Sequence, residues 1–295
     1  MAEAGTGARV TVGELLARRG VDASPYRPGT RWSAVLAIGS NAGVSQLARK
    51  YASGVFPGGA VIPVVRSVLE GFDSVYAPLV AGYGSVTATL ERCEGASLGL
   101  FVTYLTERQL GRMNETEGGY HLLRLRGVAL HVGTSLEARR AGREPAGAAT
   151  EVLQYNHRRG TLWLPAGRGG ADTPVALAEL PCDGRAFPAL AQGQAQELVR
   201  ALASPGGGGG GAAGRVREWV AGGAPEGGLA AAGELREWIA ANVRDEGARA
   251  AVRGRLERLA RPLAYDGVDV LASIDGVAAP GAKATVTRTG ARAEP

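Results

Sequence analysis

Between residues 60 and 132 the chain spells one strand after another, and this run limits the choice of fold more than any other feature. Residues 61–69 and 72–76 are rich in β-branched and aromatic side chains. Residues 84–90, G-S-V-T-A-T-L, alternate. Cys93-Glu94-Gly95 then reads as a turn and 98–105 as another run, so 84–90 and 98–105 are expected to pair as a hairpin. Residues 120–125, 128–132 and 161–164 read as further strands. The first strand of the series comes earlier, at 33–38, where a buried-looking run ends in glycine.

Helical signals are interleaved with these strands. Residues 43–53 carry Val44, Leu47, Ala48 and Tyr51 at helical spacing. At Leu105-Thr106-Glu107-Arg108-Gln109-Leu110, Thr106 and Gln109 have capping-box spacing, while Leu105 and Leu110 have staple spacing. That helix is expected to run to about Glu115 and to stop at Gly118-Gly119. The pattern predicts a mixed α/β (α+β) domain over 31–200: a small, twisted, barrel-like sheet with flanking helices. Residues 1–30 form a leader, with a short helix near 11–19 that Pro25 and Pro28 follow. Glycine fills 206–211. So pure a run cannot offset its ordering entropy by burial, and no Gly-Lys-Ser/Thr follows it as a phosphate loop requires. Residues 201–214 therefore read as a linker, 215–275 as a helical appendage and 276–295 as a loose tail. Arg-Glu-Trp occurs at 217–219 and again at 236–238, which is too little to establish a repeat. Trp219 and Trp238 read as core anchors.

Composition narrows the function. An apolar share of 45 % over 295 residues supports a real core. The net charge of +5 comes from arginines spread among acids, with Lys50 and Lys283 the only lysines. No basic run alternates with aromatics, so nucleic acid is not the expected partner. Two distant cysteines, Cys93 and Cys182, make neither a metal motif nor a disulfide framework. No stretch approaches ~20 continuous apolar residues, so no membrane span is expected. The first ten residues lack an apolar h-region, and a cytoplasmic protein is expected.

Two places draw attention as chemistry. Gly39-Ser40-Asn41 sits between a strand and a helix. By itself it reads as a capping turn; it also offers backbone N–H groups and two polar side chains to an anion. Glu117 precedes a Gly-Gly helix stop, where a solvated carboxylate is the ordinary case. Tyr120 suits a substrate donor and a core edge equally well. His121, His131 and His157 share no ligand spacing, and Cys93 has no base beside it in sequence.

Four segments in order lend these residues a shared meaning. They are Ile38-Gly39-Ser40-Asn41, Tyr83-Gly84-Ser85-Val86-Thr87-Ala88-Thr89-Leu90, the run 98–105, and Met113-Asn114-Glu115-Thr116-Glu117-Gly118. With them, residues 35–125 resemble the γ-glutamylcyclotransferase family. The first is similar to its Tyr-Gly-Ser-Asn loop, the second to its glycine-then-Ala-Thr strand. The third is similar to the strand leading into a helix, and the fourth to the helix end that carries its acidic catalytic residue. Glu117 is the matching position.

The resemblance implies an enzyme that cyclises a γ-glutamyl group to 5-oxoproline and releases an amine, without metal or organic cofactor. Its partner would be a small γ-glutamyl molecule. Glu117 would be catalytic, and Ile38, Gly39, Ser40, Asn41 and Tyr120 would bind substrate. The helix end, burial and Glu115 as a like-charge neighbour would all raise the Glu117 pKa from about 4.3 toward that of a useful base. Ile38 departs from the family's Tyr and removes a hydroxyl. A pocket that has kept binding and lost chemistry, acting as a binding or regulatory module, is the alternative. The extra helical part would cover the pocket or mediate assembly.

Overall fold

The computed structural model describes residues 12–20, 22, 26, 29–57, 60–164, 171–204, 232–275 and 285–288. The glycine run at 206–211, Trp219 and most of the leader and tail lie outside the described residues.

Five strands close on themselves. They are β1 (Ser33–Ala37), β2 (Val64–Val80), β3 (Val86–Leu105), β4 (Tyr120–Val132) and β5 (Gly147–His157). Their order is β2-β3-β1-β5-β4, and β4 returns to β2 through Ser67↔Val132, Val68↔His131 and Leu69↔Leu130. Every pairing within the ring is antiparallel except β1 with β5. The architecture is therefore the expected α+β one, a closed barrel-like sheet with helices outside. Leu36, Leu69, Leu98, Leu100, Leu125 and Leu130 pack inside as one cluster, and a ring with both edges paired leaves no free strand edge.

The expected hairpin of 84–90 with 98–105 does not form. Both runs belong to β3, a single strand of 20 residues. Its partner throughout is β2, joined to it by the turn at 81–85, where Gly84 takes φ +91°. Residues 93–96 bulge between the pairs Glu70↔Ser97 and Phe72↔Arg92. Gly71 at φ +75° and Gly95 at +77° absorb the bend, a conformation open to glycine at little steric cost. The signal read as a turn is thus a kink in a strand too long to stay straight.

Gly127, at φ +68°, likewise keeps 120–125 and 128–132 within β4. β5 has no counterpart in the sequence reading. Its buried Asn156 interrupts the apolar pattern, yet this amide serves the edge of β3: Oδ1 accepts from Leu90 N at 2.7 Å, and Nδ2 donates to Leu90 O at 3.1 Å.

Around the barrel lie α1 (Val12–Arg18), α2 (Val44–Lys50) and α3 (Glu107–Asn114). In α3 both capping-box bonds form, Thr106 Oγ1 accepting from Gln109 N and Gln109 Oε1 from Thr106 N. A second apolar cluster joins Tyr76, Val80 and Val86 to Leu198, Val252 and Leu256 of the helices Gln192–Ala203 and Glu246–Leu256, with Trp238 packed against it. The C-terminal part is helical over Ala232–Arg244 and Glu246–Leu256. Val268–Asp275, read as part of a helical appendage, is instead a strand, paired with β4 from Val268↔Leu125 to Ser273↔His121. Among the described residues no helix is long and apolar enough to cross a membrane.

Candidate active site

β1 delivers the chain to the barrel rim. Ile38 stays packed in the barrel cluster, 5 % exposed, and its carbonyl accepts from Ser74 Oγ at 3.0 Å. Gly39 follows, and Ser40–Ala42 forms a single 3-10 turn. The cap of α2 is then Gly43, without a side-chain bond, so Gly-Ser-Asn is not the helix cap that the sequence invited. Ser40 Oγ accepts from Gln46 Nε2 at 3.1 Å, and Asn41 turns inward.

Asn41 meets Glu117 there. Its Nδ2 donates to Glu117 Oε1 at 3.1 Å, a bond between residues 76 positions apart. The same amide accepts through Oδ1 from Lys50 Nζ at 2.7 Å. Lys50 Nζ also donates to Glu117 Oε1 as an ion pair and lies 3.3 Å from Met113 Sδ. Lys50 and Glu117 are each only 9 % exposed. Asn41 thus has its amide orientation set by a cation on one side and a carboxylate on the other.

The α3 end places Glu117. After Asn114 the chain makes two turns, Thr116 N donating to Met113 O and Glu117 N to Asn114 O, and Tyr120 N donates back to Glu117 O. Arg112 ties this end to α2: Nε donates to the Lys50 carbonyl at 2.8 Å, and Nη1 pairs with Glu115 Oε2 at 2.7 Å. The electrostatic expectation needs correcting here. Glu115 turns to Arg112, and the charge facing Glu117 is the ammonium of Lys50 rather than a second carboxylate.

Two tyrosines frame the carboxylate. Tyr120 Oη donates to Ala88 O at 3.2 Å, and its ring meets His157 edge-on. Tyr155 Oη donates to Asn114 Oδ1 at 2.5 Å. Burial pushes both phenols well above their usual range, and nearby Glu117 pushes the same way.

Ile38, Gly39, Ser40, Asn41, Glu117 and Tyr120 all line one cavity of about 590 Å³, a size that suits a small molecule. Lys50, Arg112, Gln154 and Tyr155 line it too, and the sequence reading named none of them as site residues. Lys50 did leave a signal. It is one of two lysines in a chain that otherwise uses arginine, and it follows Leu47 by three positions, on the apolar stripe of α2.

The remaining candidates stay out of this arrangement. His121 Nδ1 lies 2.9 Å from Ser273 Oγ, and His131 faces Glu70. Burial pushes the Cys93 thiol up and the Cys182 thiol to about 12. Among the described residues no three His, Cys, Asp or Glu side chains gather so as to hold a metal ion.

No family model matches the sequence, and no curated protein matches it. A solved structure titled "Gamma-glutamyl cyclotransferase" is similar over 49 % of this chain and 72 % of its own, at 15 % identity and a TM-score of 0.31. That likeness is slight.

Proposed function

We propose that this cavity cyclises a γ-glutamyl group to 5-oxoproline, with Glu117 as acid and base. The observation that carries the reading is the Asn41–Glu117 hydrogen bond, which brings the 39–41 loop and the carboxylate to one wall of one cavity. In the reaction the substrate's α-ammonium gives a proton to Glu117, and the freed amine attacks the γ-carbonyl carbon. A new C–N bond closes the ring as the old amide bond breaks. Glu117 returns that proton to the leaving nitrogen as the amide bond breaks, then takes the second proton that the ring nitrogen sheds on becoming a neutral amide, and this proton leaves on the released amine as its ammonium. Ring closure is intramolecular, so orientation supplies much of the rate, up to roughly 7–11 kcal/mol in well-aligned cases. Proton transfer by one positioned carboxylate adds about 10²–10⁴-fold.

The test is release of 5-oxoproline from a panel of γ-glutamyl amino acids, peptides and amines. Glu117→Gln keeps the shape and loses the proton acceptor, and product should fall by about 10²-fold or more. Equal product from wild type and variant overturns the role of Glu117.

A second reading rests on Lys50. A carboxylate already paired with an ammonium, together with an isoleucine at position 38, favours a binding or regulatory module on the same fold. Thermal stabilisation by γ-glutamyl compounds without any product supports it, and turnover of any of them ends it.

A further inference from the structure

Among the described residues Lys50 is the one cation that shares the Glu117 carboxylate with Asn41, and nothing in the cyclisation itself requires it. Its three donors meet Glu117 Oε1, Asn41 Oδ1 and the weak acceptor Met113 Sδ. The backbone behind it is held, because Arg112 Nε grips the Lys50 carbonyl and spans to Glu115. The long side chain, in contrast, is a flexible stem carrying a compact charge. Its ammonium sits on Oε1, the carboxylate oxygen that also takes the Asn41 bond, so a ligand's ammonium drawn to Glu117 meets a like charge there.

We propose that ligand binding is an exchange of ion pairs. The ligand's ammonium takes Glu117, and Lys50, keeping Asn41 Oδ1, turns to a carboxylate that the ligand must itself supply. Lys50 and Glu117 together then form a zwitterion complementary to a ligand head bearing an ammonium and a carboxylate on one carbon. The inference deepens the reading of the previous section and rests on its placing of the ligand ammonium at Glu117.

Charge has to balance in so occluded a place. Lys50 and Glu117 are both nine-tenths buried and neutralise each other. An amine without a carboxylate would put two cations on one carboxylate and leave a buried positive charge unpaired. A carboxylate without an ammonium would draw Lys50 away and leave Glu117 unpaired. Only the zwitterionic head restores two pairs from two, and an unpaired buried charge is strongly unfavourable. Lys50 is on this account a specificity-determining residue that excludes amines and acids resembling half of the ligand.

Calorimetric titration of the full chain tests it with three probes that share one amide end: L-glutamine, its decarboxylated counterpart 4-aminobutanamide, and its deaminated counterpart 4-carbamoylbutanoate. Wild type should bind L-glutamine at millimolar concentration and each truncated probe on the order of 30-fold more weakly. Lys50→Met should take 4-aminobutanamide at least as tightly as L-glutamine, whereas Lys50→Arg should keep the wild-type order. If Lys50→Met does not fold, the double variant Lys50→Met/Glu117→Gln removes both buried charges together and should bind the three probes alike. The inference is overturned if wild type does not bind L-glutamine, if it binds 4-aminobutanamide equally well, or if Lys50→Met keeps the discrimination. Discrimination without 5-oxoproline from any substrate sinks the cyclisation and leaves the exchange standing. Turnover with discrimination independent of Lys50 does the reverse.

Discussion

Arg185 closes over Asp73 with two hydrogen bonds, Nε to Oδ2 at 2.7 Å and Nη2 to Oδ1 at 3.1 Å. The same Nη2 donates to the carbonyls of Leu177 and Leu180, and Asp73 Oδ1 also accepts from Ser74 N. Asp73 has no exposure at all. One guanidinium therefore ties the excursion at 177–185 to the bend of β2, just past Gly71, where the barrel wall kinks.

Asp73→Asn should lower stability by about 3 kcal/mol, because it leaves the Arg185 charge half-paired in an enclosed place. Denaturant unfolding measures this. The direction is the informative part, since an exposed ion pair would change stability by at most about 1 kcal/mol.

Stability should also fall in mild acid through His157. Burial, and after it the Arg253 guanidinium, push this imidazole down to about 4 from the 6.5 it has when unfolded. Above pH 6.5 neither state holds the proton and the contribution is fully present. As pH falls from 6.5 toward 4, the unfolded chain takes up a proton that the folded chain refuses, so stability drops, by about 3 kcal/mol in all. Burial pushes His121 down too, with the same sign. Unfolding curves at pH 7 and pH 5 should differ accordingly, and the difference should shrink in His157→Gln.

Thr106→Ala should cost about 1 kcal/mol, the usual worth of an N-cap side chain. The loss should appear as a lower denaturation midpoint with an unchanged slope, since only the first turn of α3 is touched.

Asn41→Ala tests the bridge itself. The amide orients both Lys50 and Glu117, and without it the carboxylate is held by Lys50 alone. A misplacement near 1 Å can cost on the order of 10²-fold. Steady-state kinetics of 5-oxoproline release should show kcat/KM lower by about ten- to a hundredfold, with the melting temperature little changed.

The legible parts of this chain were the local ones. The start of α3 could be read because a capping box satisfies backbone donors with side chains three residues away, and four residues suffice to specify it. The strand runs could be read because alternation and β-branching record burial on one or two faces. The 39–41 loop and Glu117 were visible for a different reason: their residue types recur in the order of a known family, although they lie 76 positions apart. Strand pairing was not legible. Cys93-Glu94-Gly95 carries the same signal whether glycine reverses the chain or merely bends it, and only the full length of β2 lying alongside decided for a bend.

By itself, then, the sequence determined where β1 and α3 begin, that strand runs fill most of 60–132 in a mixed α+β domain, and which loop and carboxylate to watch. Tertiary structure alone decided that β1 and β5 run parallel within the ring, that Val268–Asp275 joins β4, and that Lys50 faces Glu117. The reason is the same in each case. These are relations between surfaces brought together by closing the barrel, and Lys50 in particular is set opposite its partner by α2 and α3 meeting through Arg112, a contact that no local pattern of residues records.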